Sequence, residues 1–127
     1  MRALDLAGFA GVFLMSSALL SAHHTVATVF DTEHVVKLQG RLAEVEWKNP
    51  HVVLHLDVTG ADGSLIAWTI ETLNIRGLTS KGLTAESYHP GDTLDVTVCA
   101  AKDGTHHAVT QSIDRPDGTM YVRMGGC

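Results

Sequence analysis

The sequence predicts an all-β domain with small α content. The expected architecture is an OB-like Greek-key barrel of five to six strands, with a short helix between strands three and four and a signal-peptide helix in front. Three observations predict it. Apolar and polar residues alternate with period two over several short stretches separated by turn signals. The alternation changes phase inside the first stretch, near Gly40, as a β-bulge in a bent barrel strand produces. Between the third and fourth stretches the alternation gives way to a run with helical spacing. A β-sandwich is the alternative, although it usually needs about seven strands.

The elements follow in order. In residues 34–48, Val36, Leu38 and Leu42 share one phase, while Val45 and Trp47 continue in the other, giving one long bent strand. Asn49-Pro50 is a turn signal. Val52, Leu54, Leu56 and Val58 then alternate with His51, Val53, His55 and Asp57 in a second strand. Gly60-Ala61-Asp62-Gly63 turns the chain into a third, Leu65 to Thr72, which carries Trp68 and Ile70. Leu73 to Gly82 reads as one or two helical turns with Leu73, Ile75 and Leu78 apolar. His89-Pro90-Gly91-Asp92 launches a fourth strand with Leu94, Val96 and Val98 inward and Asp95, Thr97 and Cys99 outward. Lys102-Asp103-Gly104 leads to a fifth strand, His107 to Asp114, and Asp117-Gly118 to a last short one around Met120-Tyr121-Val122.

The first 22 residues read as a secretory signal, making residues 23–127 a single domain of about 105 residues. Arg2 supplies the positive start, and Leu6 to Leu20 is almost wholly apolar and uncharged. That run is shorter than the roughly 20 residues a spanning helix needs, so cleavage is favoured over an anchor. The cut falls after Ala22 or after Ala18, where Ser16 and Ala18 fit the small-x-small rule. Export implies a periplasmic or secreted protein in an oxidising compartment. Cys99 and Cys127 there form one disulfide, stay as free thiols, or pair between molecules.

Charge narrows the partners. The formal net charge is −5 and no Lys/Arg cluster occurs, which argues against nucleic acid and anionic membrane surfaces. No stable membrane anchor is expected after cleavage. Enzyme signatures are missing: there is no G-x-S-x-G, H-E-x-x-H, phosphate loop or C-x-x-C. Glu44, Glu46 and Glu71 read as carboxylates on solvated strand faces.

The candidate chemistry lies in eight histidines, all beyond the signal. A cut after Ala22 gives His23 a free amine, which with its imidazole can chelate one ion, with His24 beside it. His51 and His55 would be about 13 Å apart on a strand and cannot share an ion directly. Adjacent His106 and His107 point to opposite faces. A mononuclear site therefore combines His23 with one of His51, His106 or His107, in a geometry suited to copper(II), with zinc as the alternative. Met120, Met124 and Cys127 offer soft donors for Cu(I), although methionines beside a strand more often pack. Trp47, Asn49 and Pro50 read as structural, fixing a turn at the barrel end, while His51 stands as well placed for a site.

These residues also carry a resemblance. Ala22-His23-His24-Thr25, Phe30-Asp31, the segment from Gly40 through Val45-Glu46-Trp47-x-Asn49-Pro50-His51, Trp68, Leu83-Thr84, Pro90-Gly91-Asp92 and Ala101-Lys102-Asp103-Gly104 resemble a family of small exported bacterial proteins. That family is classed as a domain of unknown function and occurs mainly in Gram-negative bacteria. The resemblance covers about residues 22–115, with Trp-x-Asn-Pro-His its most specific element. It implies a periplasmic location and a His pair directly after the cleavage point, and supplies no activity. The tail beyond Asp114 lies outside the pattern.

Two functions are therefore expected. The first is a periplasmic β-barrel that binds copper or another transition metal through His23, His24, His51, His106 and His107. The second is a metal-free interaction module for a protein, peptide or saccharide partner. A copper redox enzyme is a third and weaker reading.

Overall fold

The computed structural model describes residues 26–115, 117, 120–124 and 126–127. The expected signal segment, His23 and His24 lie outside the described residues. Six strands follow one another as β1 (Val36–Glu46), β2 (Val53–Thr59), β3 (Leu65–Glu71), β4 (Thr93–Ala100), β5 (His107–Asp114) and β6 (Met120–Arg123). They hydrogen-bond in the order β3-β2-β1-β4-β5-β6, and β3 also pairs with β5. That extra pairing closes β1 to β5 into a five-stranded barrel, the OB-like architecture read from the sequence. It is parallel, with Thr69 opposite His107 and Glu71 opposite Val109. Among the described residues no helix is long and apolar enough to cross a membrane.

The phase change in β1 is a bulge. Leu42 faces Leu56 while Glu44 faces His55, so the pairing shifts by one residue between them. Leu42 is thereby buried and Val45, three residues on, still packs on the core. Gly40 lies where β1 passes close to β2. A Cβ there would come within 3.0 Å of Val58 Cγ2 and 3.2 Å of Leu56 Cβ. The core is formed by Leu42, Leu54, Leu56, Ile70, Leu94, Val96, Val98 and Ile113, each at most 2 % exposed. Burying one such side chain contributes about 1.5–3 kcal/mol.

The helix is shorter than the sequence suggests, running over Ile75–Thr79 rather than 73–82. Asn74 Oδ1 accepts from Gly77 N at 2.7 Å and so fixes its start. At the other end Gly82 takes φ +81°, Gly82 N donates to Thr79 O and Leu83 N to Leu78 O, a Schellman pattern that stops the helix. A 3-10 turn, Ala85–Ser87, completes the connector.

Asn49-Pro50 is a cis peptide, and the turn it forms grips the helix: Ile75 N donates to Asn49 Oδ1 at 3.1 Å. Trp47 packs against the core and meets the Tyr88 ring at 6.2 Å. The structural reading of Trp47, Asn49 and Pro50 holds.

Cys99 needs a correction. Its position in β4 points away from the barrel interior, as expected, yet it is 1 % exposed. The reason is a second small core with Phe30 and Ala101, against which Val26, Val109 and Cys127 pack. Cys99 and Cys127 form a disulfide with a Cα–Cα distance of 6.2 Å, the intramolecular alternative of the three.

Candidate functional site

One edge of β5 is shared by two strands. Its first part, His107 to Val109, pairs with β3, and its last part, Ser112 to Asp114, pairs with β6. Between the two the edge forks. On one prong the chain leaves β3 at Thr72, whose N–H turns to Val52 O at 2.8 Å. On the other prong Met124 N donates to Gln111 O at 2.8 Å. Thr110 sits in the crotch, and its hydroxyl donates to Glu71 O at 2.8 Å.

A cavity of about 760 Å³ opens at this fork. The barrel supplies His51, Glu71, Thr72, Leu73, His107, Val109 and Thr110. The leader contributes Val26, Val29 and Phe30, and the tail contributes Met124, Gly126 and Cys127. The described part of the leader and the tail are both held there by named contacts. Phe30 bridges to Ala101, Asp31 N donates to Ala100 O at 2.9 Å, and Lys102 Nζ donates to Ala27 O at 2.6 Å. The disulfide to Cys99 holds the tail.

Two of the sequence-derived histidines, His51 and His107, line this cavity from strands on either side of β3: His107 lies opposite Thr69, and His51 lies two residues before Val53, which pairs with Glu71. His51 Nδ1 lies 3.1 Å from Thr72 O. A carbonyl only accepts, so Nδ1 carries the hydrogen and neutral His51 keeps its lone pair on Nε2. His107 Nε2 lies 2.7 Å from Glu71 Oε1. An ionised carboxylate also only accepts, so Nε2 carries the hydrogen and the lone pair of neutral His107 is on Nδ1. The His107 ring is further held edge-on by Phe30, 5.0 Å away at 75°. Each imidazole is thus oriented by one nitrogen and has the other available as an acceptor or metal donor. This is the arrangement in which protein imidazoles usually ligate metals.

The remaining candidates lie elsewhere. His106, in the bend just before β5, does not line this cavity; its ring lies against Trp68 at 5.0 Å, so the adjacent pair diverges. His55 Nε2 is 2.7 Å from Glu46 Oε1 on the β1–β2 face. His34 pairs with Asp31 at 3.0 Å, and His89 faces Asp92 at 3.5 Å. Among the described residues no group of three or more His, Cys, Asp or Glu is arranged to hold a metal. Both cysteines are in the disulfide, so Cys127 offers no thiolate. Met124 lines the cavity.

Glu46 and Glu71 depart from the sequence reading of solvated carboxylates. Each is partly buried and bonds a histidine. Lys48, hydrogen-bonded to Glu46, and then His55 hold the Glu46 carboxyl below its ordinary range. The Glu46–His55 pair could have been found from the β1–β2 register. Glu71–His107 had no local signal, because it depends on the parallel β3–β5 pairing between strands distant in sequence.

The model of a family of unknown function, DUF6152, matches residues 12–111, so the chain belongs to that family. No curated protein matches the chain.

Proposed function

We propose that this DUF6152 protein is a periplasmic β-barrel binding protein that takes up copper, or another late transition metal such as zinc, through histidines. The observation that carries the reading is the paired orientation of His51 and His107 on one cavity, each anchored by a single ring nitrogen. Copper and zinc both favour imidazole donors. Each of the two imidazoles leaves room for further donors. His23 is three residues before Val26, which lines the cavity, and three residues of extended chain reach about 10 Å. A free amine at His23 would add a nitrogen of its own, with His24 the neighbouring alternative. The Cys99–Cys127 disulfide supports an oxidising compartment.

The test is intact mass and metal content of untagged, exported protein, followed by copper and zinc titration. A mass starting at His23, about one bound equivalent, and loss of that equivalent in His51→Ala and His107→Ala support the reading. A protein that stays metal-free after equilibration with both ions overturns it.

The second reading is a metal-free interaction module. The apolar walls of the cavity favour it, because about 300–1,000 Å³ is the usual range for small-molecule sites and this cavity, about 760 Å³, falls within it. Under this reading His51 and His107 serve as hydrogen-bonding groups for a ligand.

A further inference from the structure

We infer that the cavity takes a hydrophobic amine: an apolar body carrying a single protonated amino group, with Glu71 as its counter-charge. This rests on the organic-ligand reading of the cavity above and goes further by naming the class of ligand.

The first argument is a comparison within the barrel. Two carboxylate–imidazole pairs share one geometry, Glu46 with His55 and Glu71 with His107, each at 2.7 Å and each partly buried. Glu46 also has a lysine, Lys48, as ion-pair partner. Among the described residues Glu71 pairs with no lysine or arginine. A neutral His107 donates one hydrogen bond to Glu71 and leaves its charge uncancelled. A partly buried carboxylate of this kind favours the arrival of a cation.

Hydrogen-bonding capacity supplies the second argument. The hydrogen on His51 Nδ1 goes to Thr72 O, and that on His107 Nε2 goes to Glu71 Oε1. The Thr72 hydroxyl donates to Val52 O at 2.9 Å, and the Thr110 hydroxyl donates to Glu71 O at 2.8 Å. Every polar side chain on the lining has therefore committed its hydrogen to the protein and keeps only acceptor sites. An ammonium group is the complementary partner, with three donors and no acceptor. A carboxylate ligand would set acceptors against acceptors and bring a second negative charge beside Glu71.

The walls supply the third argument. No lysine or arginine is among the lining residues, so nothing there repels a cation or attracts an anion. Val26, Val29, Leu73 and Val109 present apolar surface to the same space. A small inorganic cation gains nothing from them, whereas an apolar body attached to the charge is drawn out of water by its burial.

The test uses the full exported protein, stripped of metal by a chelator, and isothermal titration with three probes of one chain length: decylamine, decanol and decanoate. Decylamine should bind about tenfold or more tighter than decanol, the scale of a hydrogen bond to a charged group. Decanoate should bind more weakly than either. Glu71→Gln keeps an acceptor for His107 Nε2 and removes the charge. It should lower decylamine affinity about tenfold and change decanol affinity less than about twofold. Glu46→Gln, on the β1–β2 face, should change neither. NMR shifts induced by decylamine should fall on Leu73, Val109 and Thr110. Equal affinity for the three probes, or decylamine binding unchanged in Glu71→Gln, overturns this inference and leaves the organic-ligand reading standing. Failure of all three probes to bind the unmodified protein overturns both.

Discussion

His51 and His107 are oriented through opposite ring nitrogens by consecutive residues of the chain: Thr72 holds Nδ1 of the first at 3.1 Å and Glu71 holds Nε2 of the second at 2.7 Å. The two rings are thereby fixed relative to a single short segment leaving β3. A displacement of that segment would move both.

This pairing predicts opposite tautomers in the neutral state. Nitrogen-detected NMR of the imidazoles should find hydrogen on Nδ1 of His51 and on Nε2 of His107. Glu71→Gln should leave the His51 signals in place and disturb those of His107. Under the proposed metal-binding reading, metal affinity should fall about 10- to 100-fold, as is typical when the partner of a ligating histidine is changed. Identical tautomers at both positions would contradict the arrangement.

Asn49 links the β1–β2 turn to the helix start through Ile75 N. Asn49→Ala should cost about 1 kcal/mol, the usual effect of losing a helix-start acceptor. For a domain this size that is a fall of about 4–8 °C in Tm, measured by calorimetry. Asn74→Ala should cost a similar amount, since it removes the bond to Gly77 N.

The disulfide closes a loop with a sequence separation of 28. Chain-entropy arguments give about 3–4 kcal/mol for a loop of that length. Cys99→Ser/Cys127→Ser should lose about that much in urea unfolding. Under the proposed binding reading it should also weaken ligand uptake, because Cys127 forms part of the cavity wall. A double variant with undiminished stability would show that the tail packs without its covalent tie.

Glu46 is held below its ordinary carboxyl range by Lys48 first and His55 second. Its folded pKa is depressed relative to the unfolded chain, so its contribution to stability is present above the unfolded value. That contribution is lost as pH falls through the folded one. Carbon-detected titration should find Glu46 below the usual glutamate range, and Lys48→Ala should move it upward. A Glu46 titration unaffected by Lys48→Ala would discount the ion pair.

Much of the barrel was legible because its signals are local. Alternation located β2 and β4, the Leu42-to-Val45 phase change located the bulge, and His107 to Asp114 was read with its observed bounds. The helix was read too long because Leu73 is apolar, while Asn74 and Gly82 set its limits through hydrogen bonds and a positive φ. Cys99 was placed on the right face, but its burial depends on Phe30 and Cys127, which come from opposite ends of the chain. The site was half legible. Residue type and spacing brought out His51 and His107 and separated His106 from its neighbour. Glu71 stayed hidden, because only the closure of β3 on β5 brings it to His107.

That closure also decides when the site can exist during folding. A β1–β2–β3 meander is built from contacts between neighbours in sequence, and such contacts form early. It would already contain His51, Thr72 and Glu71, but β5 must dock before His107 arrives. A ligand that contacts both imidazoles therefore has affinity for the completed barrel and little for an open-sheet intermediate. By mass action it would add its whole binding free energy to the stability of the closed form, about 2.7 kcal/mol at a hundred times its dissociation constant. Occupancy would then act as a latch on the last seam to form.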